Sequence, residues 1–200
     1  MNKNKKSIVI DFIGFLLFAL GISAITNSLF IENPYQIFWS CYLGLIIIGI
    51  GVVKRNSFLI MSQIYILAIP ILIWDIDFLY HFILGKPLLG ITDYFFREEG
   101  LNIGKIISLQ HLFVIPLSIY ALGKIGIKKG KDAWKMSLIQ ISVIFLTVIF
   151  LTPPEQNINC VFAMCGSSDF SGIAYRITWF GIFFGTVLLT KFLIGKLLKE

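Results

Sequence analysis

Apolar residues in this chain gather into six long blocks, near 8–25, 36–53, 58–84, 106–122, 136–152 and 174–194. Between them lie short segments rich in Lys, Gly, Pro, Asn and Ser. Inside the blocks polar side chains are isolated. None shows the strict alternation of a barrel strand, so the pattern predicts helices. A bilayer core of ~30 Å needs about 20 apolar helical residues, with about 17 as the lower limit, and each block is long enough. In hydrocarbon only helices and closed barrels satisfy every backbone group. The expected fold is therefore all-α, a polytopic transmembrane bundle of six helices forming one domain over residues 1–200.

Composition supports this reading. The chain is 57% hydrophobic and 14% charged, where soluble domains are about a quarter charged. The basic start, Lys3, Lys5 and Lys6, resembles that of a signal peptide. No small-residue cleavage site follows, so the first block reads as a retained helix.

The basic residues orient the bundle. With the N-terminus inside, the inner segments carry Lys3, Lys5, Lys6, Lys54, Arg55, Lys124, Lys128, Lys129, Lys131, Lys135, Lys191, Lys196 and Lys199. The outer ones carry only Lys86, Arg97, Lys105 and Arg176, so the 17 Lys and Arg divide as 13 against 4. Both termini are expected in the cytoplasm. This asymmetry accounts for the net charge of +6, and no nucleic-acid partner is implied. The basic stretch 124–135 is expected beside anionic membrane lipid.

Two outer connections are long. In 85–105, Leu88, Leu89, Ile91, Tyr94, Phe95 and Phe96 suit a segment lying at the lipid boundary, as an aromatic anchor or a lid. In 153–173, Cys160 and Cys165 form a candidate disulfide, because an external pair at this spacing can close if the loop turns back. Cys41 reads as an apolar filler. Two His and three Cys in the chain provide no zinc-finger spacing.

The candidate chemistry centres on "IWDIDFLYHF". At ~100° per residue, Gln63, Pro70, Trp74, Asp77 and His81 share one stripe of the third block, and Asp75 faces another way. In the fourth block "SLQHLFVIP" places His111 and Ser118 on one face, with Ser108 nearby. Pro70 and Pro116 each free a helical carbonyl. Counting residues from the outer ends puts Asp77 and His111 at matching depth, ~10 and ~8 Å in. Asp77, His81, His111 and Asp93 are therefore the candidate catalytic residues of an outward cavity. Trp74, Thr92, Tyr94, Asn157 and Asn159 are the candidate substrate contacts. A carboxylate this deep normally faces a bundle interior and has a partner or a role. The alternative is a hydrogen-bonded pair that only fixes helix packing. Three chemistries fit an Asp/His cluster: a general base, a mixed carboxylate–imidazole metal site, or a proton relay. Ser108, Ser118 and Thr92 are candidate nucleophiles by proximity alone. No cofactor or metal follows from the residues. Asp11 reads as structural, paired with Lys54 or Arg55.

The motif order "WDIDF", "GKPLLGITDYFF", "SLQHLFVIP" and "NINCVF" resembles that of an uncharacterised family of small bacterial multi-pass membrane proteins. The resemblance implies a bacterial plasma membrane location and a shared site around Asp77, Asp93, His111, Asn157 and Asn159, with no activity attached. A fainter likeness, through His111 and Pro116, is to androgen-induced-type transmembrane lipid hydrolases. The functional expectation is a membrane-embedded enzyme acting on a lipid or lipid-linked substrate, with membrane lipid as partner. The alternative is a small transporter or an accessory subunit of a membrane complex.

Overall fold

A computed structural model describes residues 3–97, 100–127, 132–166 and 171–197, and for residues 3–7 and 197 only the backbone. Lys128, Lys129, Lys131 and Lys199, counted above among the basic residues, lie outside the described residues. Apart from one isolated bridge between Ala163 and Ser171, the described chain is helical. Its α-helices are α1 (Lys3–Phe30), α2 (Ser40–Val53), α3 (Ser57–Leu84), α4 (Asp93–Arg97), α5 (Ile103–Ser108), α6 (His111–Ile125), α7 (Ala133–Leu151) and α8 (Gly172–Leu197). Short 3-10 turns cover Pro34–Phe38, Pro154–Gln156 and Ile158–Cys160.

Five stretches are long and apolar enough to cross a membrane: Ile8–Phe30, Ser57–Leu84, Ile103–Ile125, Ala133–Leu151 and Gly172–Lys196. Their outward faces carry large apolar side chains, including Phe12 at 65% exposure, Ile83 at 73% and Phe150 at 77%. Water would penalise such a surface and acyl chains would not. The second predicted block is shorter as a helix than as an apolar run. Its first residues form the 3-10 turn Pro34–Phe38, started by Pro34 and by Asn33, whose side chain accepts from the Tyr35 amide. The remaining 14 residues of α2 rise about 21 Å. The first block, by contrast, continues as helix to Phe30, where Ser28 donates to the Ala24 carbonyl at 2.9 Å.

Helix α3 is the central element, packed against α2, α6, α7 and α8, while α1 lies along α2. The α1–α2 contact runs through glycines: a Cβ on Gly49 would stand 2.6 Å from the Phe18 amide nitrogen and 2.8 Å from the Gly14 carbonyl. Only a hydrogen fits, and the two backbones touch there. Deeper in the bundle, Gln63 donates to Gln140 at 3.0 Å and Ser137 donates to the Ser62 carbonyl at 2.8 Å. At the basic end Asp11 meets Arg55 at 2.7 Å, as the sequence suggested.

Three connections, over residues 31–39, 85–97 and 152–166 in chain order, fold over the other end of the bundle. Asn33 is hydrogen-bonded to Gln156, joining the first connection to the third. Gly166 fits against the second: a Cβ there would meet the Leu89 carbonyl at 2.1 Å. The cap they form is one packed layer.

Candidate functional site

Asp77 answers the question its position poses. It is fully buried, and the chain after α3 folds back over it. Gly85, left-handed at φ 68, ends the helix with its amide on the His81 carbonyl, and the following turn brings backbone amides down to the carboxylate. One carboxylate oxygen accepts from the amides of Leu88 at 3.2 Å, Leu89 at 2.6 Å and Gly90 at 3.3 Å. The other accepts from the Thr92 amide and hydroxyl, both at 2.8 Å. Successive amides aimed at one anion form a nest. Asp77 is thus a latch for the 88–92 loop. It makes no hydrogen bond to His111, and the expected Asp77–His111 pair does not form.

His111 belongs to a different cluster. The chain breaks helical register between α5 and α6, and the Leu112 amide turns to the Leu109 carbonyl at 3.2 Å. The Ser108 carbonyl, left without that donor, takes the His111 ring nitrogen Nδ1 at 2.7 Å. A carbonyl only accepts, so Nδ1 carries the proton and Nε2 keeps its lone pair. Nε2 has no hydrogen-bond partner among the described residues. The ring stacks on Trp74 with centroids 4.5 Å apart. Tyr94 donates to the Ser108 hydroxyl at 3.0 Å, and that hydroxyl donates to the Gly104 carbonyl at 3.0 Å. Burial pushes the Tyr94 phenol up from its ordinary value, against the pull of the Ser108 bond, so it stays neutral.

These four residues form part of the wall of a cavity of about 660 Å³ under the cap, whose other lining side chains include Glu32, Trp39, Cys41, Tyr42, Lys105, Cys160 and Cys165. The Lys105 ammonium donates to the Gly100 carbonyl at 3.0 Å. Glu32 lies against α5, with one carboxylate oxygen 2.1 Å from where a Cβ on Gly104 would be. Glu32, Trp39, Tyr42 and Lys105 were not among the sequence candidates. Glu32 lies between the first two apolar blocks, Trp39 and Tyr42 in the second, and Lys105 at the end of the connection 85–105, and only the fold brings them together.

His81 and Asp93 lie elsewhere. Their nearest polar atoms are 3.6 Å apart, and Asp93 also meets Arg97 at 2.8 Å. His81 stacks on Phe96 at 3.9 Å, Phe96 meets Phe78 in a tilted contact at 5.4 Å, and Phe78 stacks on Trp74 at 5.0 Å. A ladder of rings therefore runs between His81 and His111. The expectation that Asp77, His81 and His111 line one cavity is corrected. Depth along two helices can match while the side chains leave on different bearings.

The expected nucleophiles are also engaged. Thr92 donates to Asp77, Ser108 to Gly104, and Ser118 to the Val114 carbonyl at 2.6 Å. Among the described residues no three His, Cys, Asp or Glu side chains gather as a metal ligand set. Asn157 and Asn159 organise the third connection. Asn157 brackets Phe162 and Ala163, with its side-chain oxygen accepting from both amides at 3.0 Å. Asn159 accepts from the Ser40 amide at 2.9 Å and hydroxyl at 2.7 Å, and donates to the Phe38 carbonyl at 2.8 Å. Cys160 and Cys165 are joined as a disulfide, Cα atoms 5.3 Å apart. Asp75, half-buried, has a carboxylate oxygen with no partner among the described residues.

Compared with family models, curated proteins and solved structures, the chain matched nothing.

Proposed function

We propose that this chain is a six-span protein of a bacterial plasma membrane, both termini cytoplasmic, whose cavity takes the polar head of a lipid or lipid-linked substrate. It acts there as a membrane-embedded enzyme with His111 as general base. One observation carries the reading. A histidine whose Nδ1 is fixed by a carbonyl keeps Nε2 as an acceptor on the wall of a 660 Å³ cavity. That is the state a general base needs. The aromatic walls offer flat apolar contact, and Lys105 favours an electron-rich head group. The cavity lies at the end with 4 of the 17 basic residues, the outer end by the positive-inside rule. On transport, the polar residues further in, Gln63, Gln140, Ser62 and Ser137, bond to one another or to backbone. That arrangement favours packing over a path.

Native mass spectrometry of the purified protein tests the reading. Wild type is expected to carry lipid from its membrane. Gln36→Trp, which narrows the cavity at the 3-10 turn, and His111→Gln are expected to lose it. Equal lipid on all three proteins would overturn the assignment.

A further inference from the structure

The cavity wall contains no free hydroxyl nucleophile among the three candidates, yet all three cysteines of the chain lie on it: Cys41, and the bridged Cys160 and Cys165. Sulfur is the reactive element this cavity presents. Both bridged residues are half-buried and line the cavity.

A second observation points to the same place. Asn157, Asn159 and Cys160 all have left-handed backbones, at φ 41, 54 and 56. For a cysteine this conformation is uncommon and costs of order 1 kcal/mol or more. The surroundings hold it in place. Trp179 donates to the Asn159 carbonyl at 2.9 Å, Tyr175 to the Cys160 carbonyl at 2.8 Å, and Ser40 fixes the Asn159 side chain. Strain maintained by converging hydrogen bonds is typical of functional loops. Here it sets the bearing of Cys160 relative to the cavity.

We propose that the Cys160–Cys165 disulfide is the reactive group of the cavity, exchanging two electrons with a quinone-class lipid whose ring lies against Trp74 and His111. This rests on the reading that the cavity takes a lipid head group, and it names that lipid. A quinone is the two-electron carrier that dissolves in a bilayer. Its flat ring suits walls made of Trp39, Tyr42, Trp74 and Tyr94, and its two oxygens are acceptors. In the reduced state one thiolate adds to a ring carbon and forms a C–S bond. The second thiolate attacks that sulfur, the S–S bond forms, and the C–S electron pair stays on the ring. Two electrons thus leave the sulfurs, and the two thiol protons end on the ring oxygens, giving the quinol. His111 Nε2 accepts a thiol proton and returns it to the ring oxygen. The dithiol is restored by thiol–disulfide exchange with a thiol donor from outside the bilayer.

The test is a single turnover. The whole protein in detergent is reduced with dithiothreitol, freed of it without air, and mixed with an equimolar short-tailed benzoquinone. Absorbance follows the quinone, alkylation mass follows the bridge, and tryptophan fluorescence follows ring binding. The expected result is one quinone reduced per chain as the bridge returns. His111→Gln is expected to do so at least tenfold more slowly. Cys160→Ala/Cys165→Ala, which keeps Cys41, sets the background. Saturable quenching without return of the bridge overturns the redox proposal and leaves the lipid site standing. Absence of saturable quenching overturns both. A bridge that yields to dithiothreitol only in denaturant is a staple, and that result also overturns the proposal.

Discussion

Replacing Asp77 by alanine removes five contacts at once, and the structure sets the scale. Three are 2.8 Å or shorter, from Leu89, the Thr92 amide and the Thr92 hydroxyl, and two are 3.2 and 3.3 Å, from Leu88 and Gly90. A hydrogen bond to a charged group contributes about 1.5–3 kcal/mol net. Taking the lower figure for the three short ones and neglecting the others gives roughly 4–5 kcal/mol. The loop lies at the end of the bundle, where water can reach some of the freed donors, so the expected cost is about 3 kcal/mol. For a chain of this size each kcal/mol moves the midpoint by ~2–4 °C, and the melting temperature should fall by about 6–12 °C. Asp77→Asn keeps an acceptor for one set of donors and turns an NH2 towards the other, so about half that shift is expected. Melting in detergent, with chymotrypsin nicking of the 88–96 loop as a local readout, measures both. Melting within ~2 °C of wild type and unchanged nicking would refute the latch. The same pair of measurements separates a latch from a catalytic dyad. A dyad predicts that Asp77→Asn and His111→Gln lose function equally at unchanged stability. The latch predicts that the Asp77 variants open the 88–96 loop to chymotrypsin and His111→Gln does not.

Gly49→Val forces a side chain into the Phe18 backbone, 2.6 Å away at its Cβ. It should cost about 3 kcal/mol, at the top of the overpacking range, seen as a large loss of accumulated protein. Gly44→Ala presses chiefly on the flexible end of Leu67, with Gln63 at ordinary contact distance, so a melting shift of a few degrees at most is expected. Asn159→Ala removes the anchors to Ser40 and Phe38 and should cost about 3 kcal/mol. Its bridge should also reduce faster under dithiothreitol, and unchanged reduction kinetics would show that Asn159 does not hold the loop. Reporter fusions at Arg55 and after residue 200 should read cytoplasmic, and those at Gly100 and Gly166 external. An external C-terminus would sink the six-span arrangement.

What the sequence determined by itself is the helical class and five of the six places expected to be long and apolar enough to cross a bilayer. These are readable because they depend on local composition: about 20 apolar residues in a row make one kind of object wherever they are placed. Cys160 and Cys165 were legible only as a candidate bridge, because their spacing closes only if the loop turns back. It also marked Asp77 and His111 as polar groups among apolar neighbours, which must find a partner, and Trp74, Tyr94, Asn157 and Asn159 as candidate substrate contacts. Which partners they found was decided by the tertiary structure. Asp77 turned to amides 11 to 15 residues on because the chain after Gly85 reverses, and a helical wheel cannot show where a loop goes. Matching Asp77 and His111 by depth neglected the indole of Trp74, which lies against the imidazole. The contact of Asn159 with Ser40 crosses 119 residues and leaves no local trace. Lys105 and Glu32 reach the cavity from connections that only the folded cap brings together. Hydrophobic pattern follows from the residue and its immediate neighbours. A site is a meeting of distant segments, and bearing, reversal and packing decide who meets.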